Sequence, residues 1–452
     1  MRNVDLMERQ LTGTDSPYAL KEVQFDGASC QIYEHAPRSL NDIYQKAQIM
    51  GDAPLIRIDE YVLSYGETFR KAAAFAVYIR NHFGVTASSR IAISVLEPSA
   101  WIIAFVAITS MGATAVLIGV DDPNDAQHRI RISRCSLLVT DGPVGMSDPG
   151  GMAGTRVMAV QDFLSRRGDL CVEASWLSLP SQREAIISFT DKTTGTSKGV
   201  IQTHLGVITG LMNMILSGLL ARAETEDADW RAPSVGQPPC TLMLSPLCYI
   251  GGYGQLLLTL MLGGKLVFTS NRTASSLSEL VDSQQLVSIA GINDVQLREL
   301  VRLKPDPGSL ISIGRHGAAL DAGLLAEVSE RWPAVTVTTG YGMTETAGAI
   351  AVIAGESLRR KPASSGRILP SVQIKIVAND GRPLAIGELG EIYVRGASLL
   401  RGYCTERGDE QPLNDGWFKT GDIGCLSAEQ HLYVLDGSHH VLSESATDDS
   451  TR

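Results

Sequence analysis

The sequence predicts an α/β protein in which βα units with a largely parallel sheet are followed by an all-β region. Three observations carry this. Between Arg90 and Val120 a β-prone run, an apolar run of helical length and a second β-prone run succeed one another, the spacing of a βαβ unit. Between Leu310 and Thr346 strand, helix and strand recur. From Lys361 the texture changes to short alternating runs separated by Gly/Asp turns, which fit a small barrel or distorted sheet.

The chain has 452 residues, enough for two or three structural units. With 44% hydrophobic and 19% charged residues it should bury a large core. A net charge of −10 with no basic stripe argues against a nucleic-acid partner. Seven cysteines without C-x-x-C pairs read as reduced thiols and not as a disulfide framework or zinc site. Met1–Asp5 has no basic region leading into an apolar one, so no secretory signal is expected. The most apolar segments, Trp101–Gly112 and Gln255–Leu262, are too short to span a bilayer. The expectation is a cytoplasmic protein without a membrane span.

Residues 1–45 lack strong periodicity and read as a lead-in with short elements. Leu63–Glu67 reads as a strand end and turn, and Phe69–Phe83 as a helix that Gly84 terminates. Arg90–Val95 is a strand, Ala100–Met111 a buried helix closed by Gly112, and Ala113–Val120 a second strand. Asp141–Gly154, rich in Gly, Pro, Asp and Ser, is a surface loop. Ile186–Phe189 is a strand that stops at a hydroxyl-rich segment, Thr190–Gly199, and Val207–Leu220 is the next helix. Strand, hydroxyl-rich loop and helix suit phosphate, because free N–H groups, hydroxyls and lysine all meet its oxygens. This is not a Walker A loop, since Ser197 precedes Lys198 where that pattern needs glycine.

Pro246–Gly252 interrupts two apolar runs. Leu310–Leu320 is a strand ending in a small-residue turn, where only small side chains would let a flat ring lie against the main chain. The helix Ala322–Arg331 follows. Val335–Thr346 is a β-branched strand that runs into Tyr341-Gly342-Met343-Thr344-Glu345. It offers a stacking ring, a hydroxyl and the hard oxygen ligand that Mg²⁺ prefers.

Four stretches together resemble the adenylate-forming superfamily, which includes acyl-CoA synthetases, 4-coumarate-CoA-ligase-like enzymes, peptide-synthetase adenylation domains and luciferases. Thr190–Gly199 reads T-D-K-T-T-G-T-S-K-G against that family's T-S-G-T-T-G-x-P-K-G, with Asp191, Lys192 and Ser197 as the departures. The Tyr-Gly-x-Thr-Glu stretch, G-E-x-G-E-I-x-V-R-G from Gly387 to Gly396, and Gly416–Asp422 are the others. The resemblance covers about residues 60–435. It implies two αβ subdomains with mainly parallel sheets plus a small distorted β-barrel, divided as 46–355 and 356–435. After Leu435 no hinge arginine follows. The expectation is therefore a polar tail over 436–452 and no mobile C-terminal domain with its catalytic lysine, unless a separate domain or subunit supplies it in trans.

The resemblance implies ATP- and Mg²⁺-dependent activation of a carboxylic acid to an acyl-adenylate, followed by transfer to CoA or a carrier-protein thiol. On that basis Thr190, Thr193, Thr194, Gly195, Thr196 and Lys198 bind the triphosphate, Thr344 the α-phosphate and Glu345 the magnesium. Lys198, Thr344 and Glu345 are the catalytic set. Adenine packs on Gly317, Ala318 and Ala319 and against Tyr341 with Gly340, Gly342 and Met343, while Asp422 takes the ribose. Tyr249 and Gly251 border the acyl channel. Arg315 and His316, beside that pocket, either pair with a polar group of the substrate or face solvent. No aspartate or asparagine stands at Cys248–Ile250, which favours an apolar acyl or aryl acid. The competing reading is a nucleotide-binding protein without independent ligase activity, which Asp191-Lys192 and the missing hinge arginine support.

Overall fold

The computed structural model describes residues 4–25, 28–119, 123–141, 155–165, 176–190, 197–223, 238–304, 306–315 and 321–435. Among these residues the strands form a two-stranded hairpin and two large sheets. The eight-stranded sheet runs in the order Gly408–Glu410, Gly402–Thr405, Gly199–Thr203, Glu184–Phe189, Thr114–Leu117, Arg90–Ser94, Leu137–Thr140, Arg156–Ala159. Its strands from Glu184–Phe189 to Arg156–Ala159 are parallel, and the first three pair antiparallel. In the thirteen-stranded sheet, Pro54–Ile58, Lys265–Phe268, Cys240–Met243, Ser288–Ile292, Ser312–Arg315 and Thr336–Met343 form the parallel centre. Antiparallel strands, Gly348–Ala354 first, extend that sheet into the region 366–434.

Alternation along the strands sets the layers. Ile91 and Ile93 face one core while Ala92 between them faces another, as the two-residue period of a strand requires. The larger core is shared by the inner faces of both sheets and by the helices Tyr65–Phe83, Pro98–Ser110, His204–Ala223 and Ile250–Leu262. Pro98–Ser110 is buried nearly all round, as its unbroken apolar run predicts. The helices Ala274–Ser283, Asp294–Leu303 and Ala322–Arg331 cover the far face of the larger sheet. The β-rich region has its own cluster, with Ile350, Leu369, Val372, Ile392, Val394, Phe418 and Leu432.

Two expectations shift. The residues Tyr65–Glu67, read as a turn, are the first turn of the helix Tyr65–Phe83. Ser64 caps that turn, accepting the Glu67 N–H, and Glu67 reaches back to the Ser64 N–H. Gly84 ends the helix in the left-handed region, as its sequence position predicts. The hydroxyl-rich segment does not lead from a strand into a helix. It joins two antiparallel strands, because Gly199–Thr203 pairs with Glu184–Phe189 on one side and Gly402–Thr405 on the other. Five residues are too few for periodicity to reveal that strand.

The helix His204–Ala223 then begins directly after it. By length and composition its stretch His204–Ala221 could cross a membrane, but 61% of it is buried among the sheets and neighbouring helices, the burial of a core helix. At its start the buried His204 accepts the Leu40 N–H through Nδ1 at 3.2 Å. Burial, with Arg183 nearby, pushes its pKa down to about 4. The unfolded chain therefore binds this proton more readily. The stability contribution is present above about pH 6.5 and is lost as pH falls towards 4, at about 1.4 kcal/mol per pH unit. His204→Asn keeps an acceptor for Leu40 without a titrating ring, and should flatten the dependence of melting temperature on pH between 6.5 and 4.5. An unchanged slope would assign the acid sensitivity to another group, with His431, also pushed down to about 4 by burial, next in line.

Candidate active site

The site forms where the two sheets meet. The strand Thr336–Met343 ends in the short helical turn Thr344–Thr346, with Ala347 in the left-handed region, and the chain returns antiparallel as Gly348–Ala354. The two strands approach so closely that a Cβ on Gly342 would lie 2.2 Å from the Gly348 carbonyl oxygen, and one on Gly340 would lie 2.4 Å from that of Ala351. Glycine at both positions is thus demanded by the backbone packing that shapes the turn. Behind the turn, Gly210 lets the helix His204–Ala223 press against Ala347.

Tyr341, on this strand, donates its hydroxyl to Asp422 Oδ2 at 2.5 Å. Burial first, and the Asp422 carboxylate next, push the Tyr341 pKa up, so it remains a donor. Asp422 lies in the strand Phe418–Leu426, and its N–H is held by Thr420 Oγ1 at 3.1 Å. A ring and a carboxylate locked together suit a base and its ribose.

Glu345, nearly buried, accepts the Tyr403 hydroxyl on Oε1 at 2.8 Å. Among the described residues its Oε2 takes no hydrogen bond, which fits an oxygen kept for a cation. Tyr403 carries the exposed Lys198 over its ring, Nζ lying 5.2 Å from the centroid. The Thr344 carbonyl accepts from Gln202 Nε2 at 2.7 Å, and Gln202 Oε1 accepts from the buried Tyr253 hydroxyl at 2.7 Å. Gln202 is on the strand Gly199–Thr203 and Tyr253 on the helix Ile250–Leu262, so the turn is braced from both sides.

The stem of the hydroxyl-rich hairpin closes with the Thr190 N–H on the Lys198 carbonyl at 3.3 Å. Asp191, Lys192, Thr193, Thr194, Gly195 and Thr196 lie outside the described residues, as do His316, Gly317, Ala318 and Ala319. Ser197, at the proline position of the resembling motif, is buried. Its Oγ donates to Asp125 Oδ1 at 3.0 Å and accepts from Arg129 Nη2 at 3.3 Å. Asp125 and Arg129 form a buried ion pair at 2.6 Å on the helix Pro123–Ser133, with the guanidinium 5.0 Å from the Phe189 ring. A hydrogen-bonded tether thus holds the exit of the loop at the position where the motif has a rigid ring.

Tyr249 occupies the N-cap position of the helix Ile250–Leu262 without a side-chain cap, and a Cβ added to Gly348 would lie 3.8 Å from Ile250, so the segment with Tyr249 and Gly251 stands near the strand that follows the Thr344–Thr346 turn. Arg315, expected to meet substrate or solvent, is buried and pairs with Asp294 at 2.8 Å. The strand direction that ends at Arg315 carries it towards the start of the helix Asp294–Leu303. Of the residues singled out by motif, Tyr341 meets Asp422, and Glu345, beside Thr344 in the turn, is linked through Tyr403 to Lys198. Motif reading missed Gln202, Tyr403, Asp125 and Arg129, whose roles arise from pairing between distant strands and helices.

The strands flanking the hydroxyl-rich segment, the Tyr341–Asp422 pair and the Glu345 carboxylate after a strand end lie where the resemblance to adenylate-forming enzymes expects its motifs. The chain belongs to the AMP-binding enzyme family, whose model matches residues 43–404. It is 28% identical over 403 residues to the 2-succinylbenzoate–CoA ligase of Bacillus licheniformis, a match covering 88% of this chain and 79% of that one. Over 402 residues it is 28% identical to the 4-coumarate–CoA ligase-like 9 protein of Arabidopsis thaliana, covering 85% and 68%. The o-succinylbenzoate CoA synthetase of Bacillus subtilis, solved with its acyl-adenylate intermediate, superposes with a TM-score of 0.73 at 25% identity, over 88% of this chain and 78% of that one. The same enzyme has been solved with ATP and a magnesium ion, and superposes with a TM-score of 0.73 at 24% identity, over 89% and 81%.

Proposed function

We propose that this protein uses ATP and Mg²⁺ to join a carboxylic acid to AMP and then passes the acyl group to the thiol of CoA. The observation that carries this reading is the link from Glu345, beside Thr344 in the turn, through Tyr403 to Lys198, together with the Tyr341–Asp422 pair. Tyr341 offers a face to adenine, and Asp422 keeps an oxygen for ribose. Lys198 and the hydroxyls of the hairpin meet the phosphates, and Thr344 meets the α-phosphate. Glu345 Oε2 is the oxygen for the magnesium, which when bound neutralises phosphate charge. No protein nucleophile is required, since these residues act by aligning the acid carboxylate with the α-phosphorus and by offsetting charge that develops there.

An aryl acid is the favoured substrate. Both curated relatives are named for aryl acids, and the Cys248–Ile250 segment next to the turn presents neither aspartate nor asparagine. Hydroxamate trapping with ATP, Mg²⁺ and a panel of aryl and aliphatic acids tests this. Hydroxamate and pyrophosphate are expected with one or more aryl acids. Calorimetric ATP binding without product from any acid would instead support a nucleotide-binding protein without ligase activity.

A further inference from the structure

We propose that Tyr403 is a positioning residue that locks Glu345 and Lys198 into one unit, coupling the metal carboxylate to the phosphate-binding lysine. The inference rests on the roles given to those two residues above. The hydroxyl of Tyr403 holds Glu345 Oε1 at 2.8 Å, which leaves Oε2, without a hydrogen bond among the described residues, for the cation. Its ring lies under the Lys198 ammonium, 5.2 Å from Nζ to the ring centroid, where the negative face of the ring attracts the cation and helps to hold it in place.

The backbone around Tyr403 makes the coupling rigid. In the short stretch Leu400–Tyr403, the Leu400 N–H bonds the Glu345 carbonyl at 2.7 Å and the Arg401 N–H bonds the Ile201 carbonyl at 2.8 Å. Tyr403 itself stands opposite Val200 in the antiparallel pair, two residues from Lys198. The stretch therefore laces the Thr344–Thr346 turn to the strand that leaves the phosphate hairpin. Alternation places the next residue, Cys404, in the core on the opposite face, behind Ile187 and Phe189. Tyr403 is consequently directed at the site by a strand whose other face is anchored, and the same hydroxyl that orients Glu345 belongs to the ring that carries Lys198.

The test uses calorimetric ATP binding by the full chain, with Mg²⁺ and with EDTA, so that it does not depend on knowing the acid. Tyr403→Phe keeps the ring and removes the hydroxyl. It should bind ATP in EDTA within twofold of wild type, and lose about tenfold in affinity in the presence of Mg²⁺, the range for an outer-sphere partner of a metal ligand. Tyr403→Leu removes both and should in addition weaken ATP binding in EDTA by about two- to fivefold, the range for an exposed cation–π contact. Melting temperatures within a few degrees of wild type are the check that both variants fold. Wild-type Mg²⁺ dependence in Tyr403→Phe would overturn the proposal, as would an equal loss with and without Mg²⁺ in both variants, the mark of a merely structural residue. A wild-type protein that binds no ATP would overturn the proposed function itself, an outcome distinct from either.

Discussion

Glu345→Gln should lower Mg²⁺-dependent turnover by on the order of 10²–10³-fold while leaving the fold intact. The magnitude is that of removing one preorganised group facing a charge that develops in the transition state. The substitution keeps the shape of a nearly buried side chain, and an amide oxygen can still accept the Tyr403 hydroxyl. The backbone of the turn is held independently, through the Leu400 N–H on the Glu345 carbonyl and Gln202 on that of Thr344. What is lost is the anionic oxygen that a hard cation requires. Pyrophosphate release measured against Mg²⁺ concentration reads the effect. Release at the wild-type rate would remove Glu345 from the site.

Asp422→Ala should weaken ATP binding by about 1–3 kcal/mol, the range for losing a charge-assisted acceptor. The geometry adds a second consequence. Asp422 is also the partner of the partly buried Tyr341 hydroxyl, at 2.5 Å, so its removal frees the ring that would stack on the base. Tyr341→Phe separates the two contributions, because it releases the carboxylate without deleting it and should cost less than Asp422→Ala. Calorimetry with ATP measures both variants. Wild-type affinity in Asp422→Ala would contradict the ribose role.

Of the three departures from the resembling motif, one lies within the described residues. Ser197 is accounted for, since its hydroxyl fits between Asp125 and Arg129, where a proline would offer no hydrogen bond. Asp191 and Lys192 lie outside the described residues. Arg315 shows how a charge beside a pocket can be misjudged from sequence. Its partner Asp294 lies 21 residues earlier, on a different element, and only the parallel pairing of Ser288–Ile292 with Ser312–Arg315 brings the two together.

What the sequence determined by itself was everything governed by local rules. The helix of Phe69–Phe83 and its stop at Gly84, the buried helix before Gly112 and the helix Ala322–Arg331 follow from periodicity and end signals within a dozen or so residues. The stretch Tyr341–Glu345 and the segment holding Asp422 stood out for a related reason, because the motif letters lie side by side in the sequence, whatever role they play. The tertiary structure alone decided that the strands flanking the hydroxyl-rich segment pair antiparallel, that Tyr403 comes to Glu345 across 58 residues, and that Tyr341 meets Asp422 across 81. Strand partners are chosen by which faces bury together in the layered cores, a collective balance of apolar area and backbone hydrogen bonds that no single stretch of sequence contains.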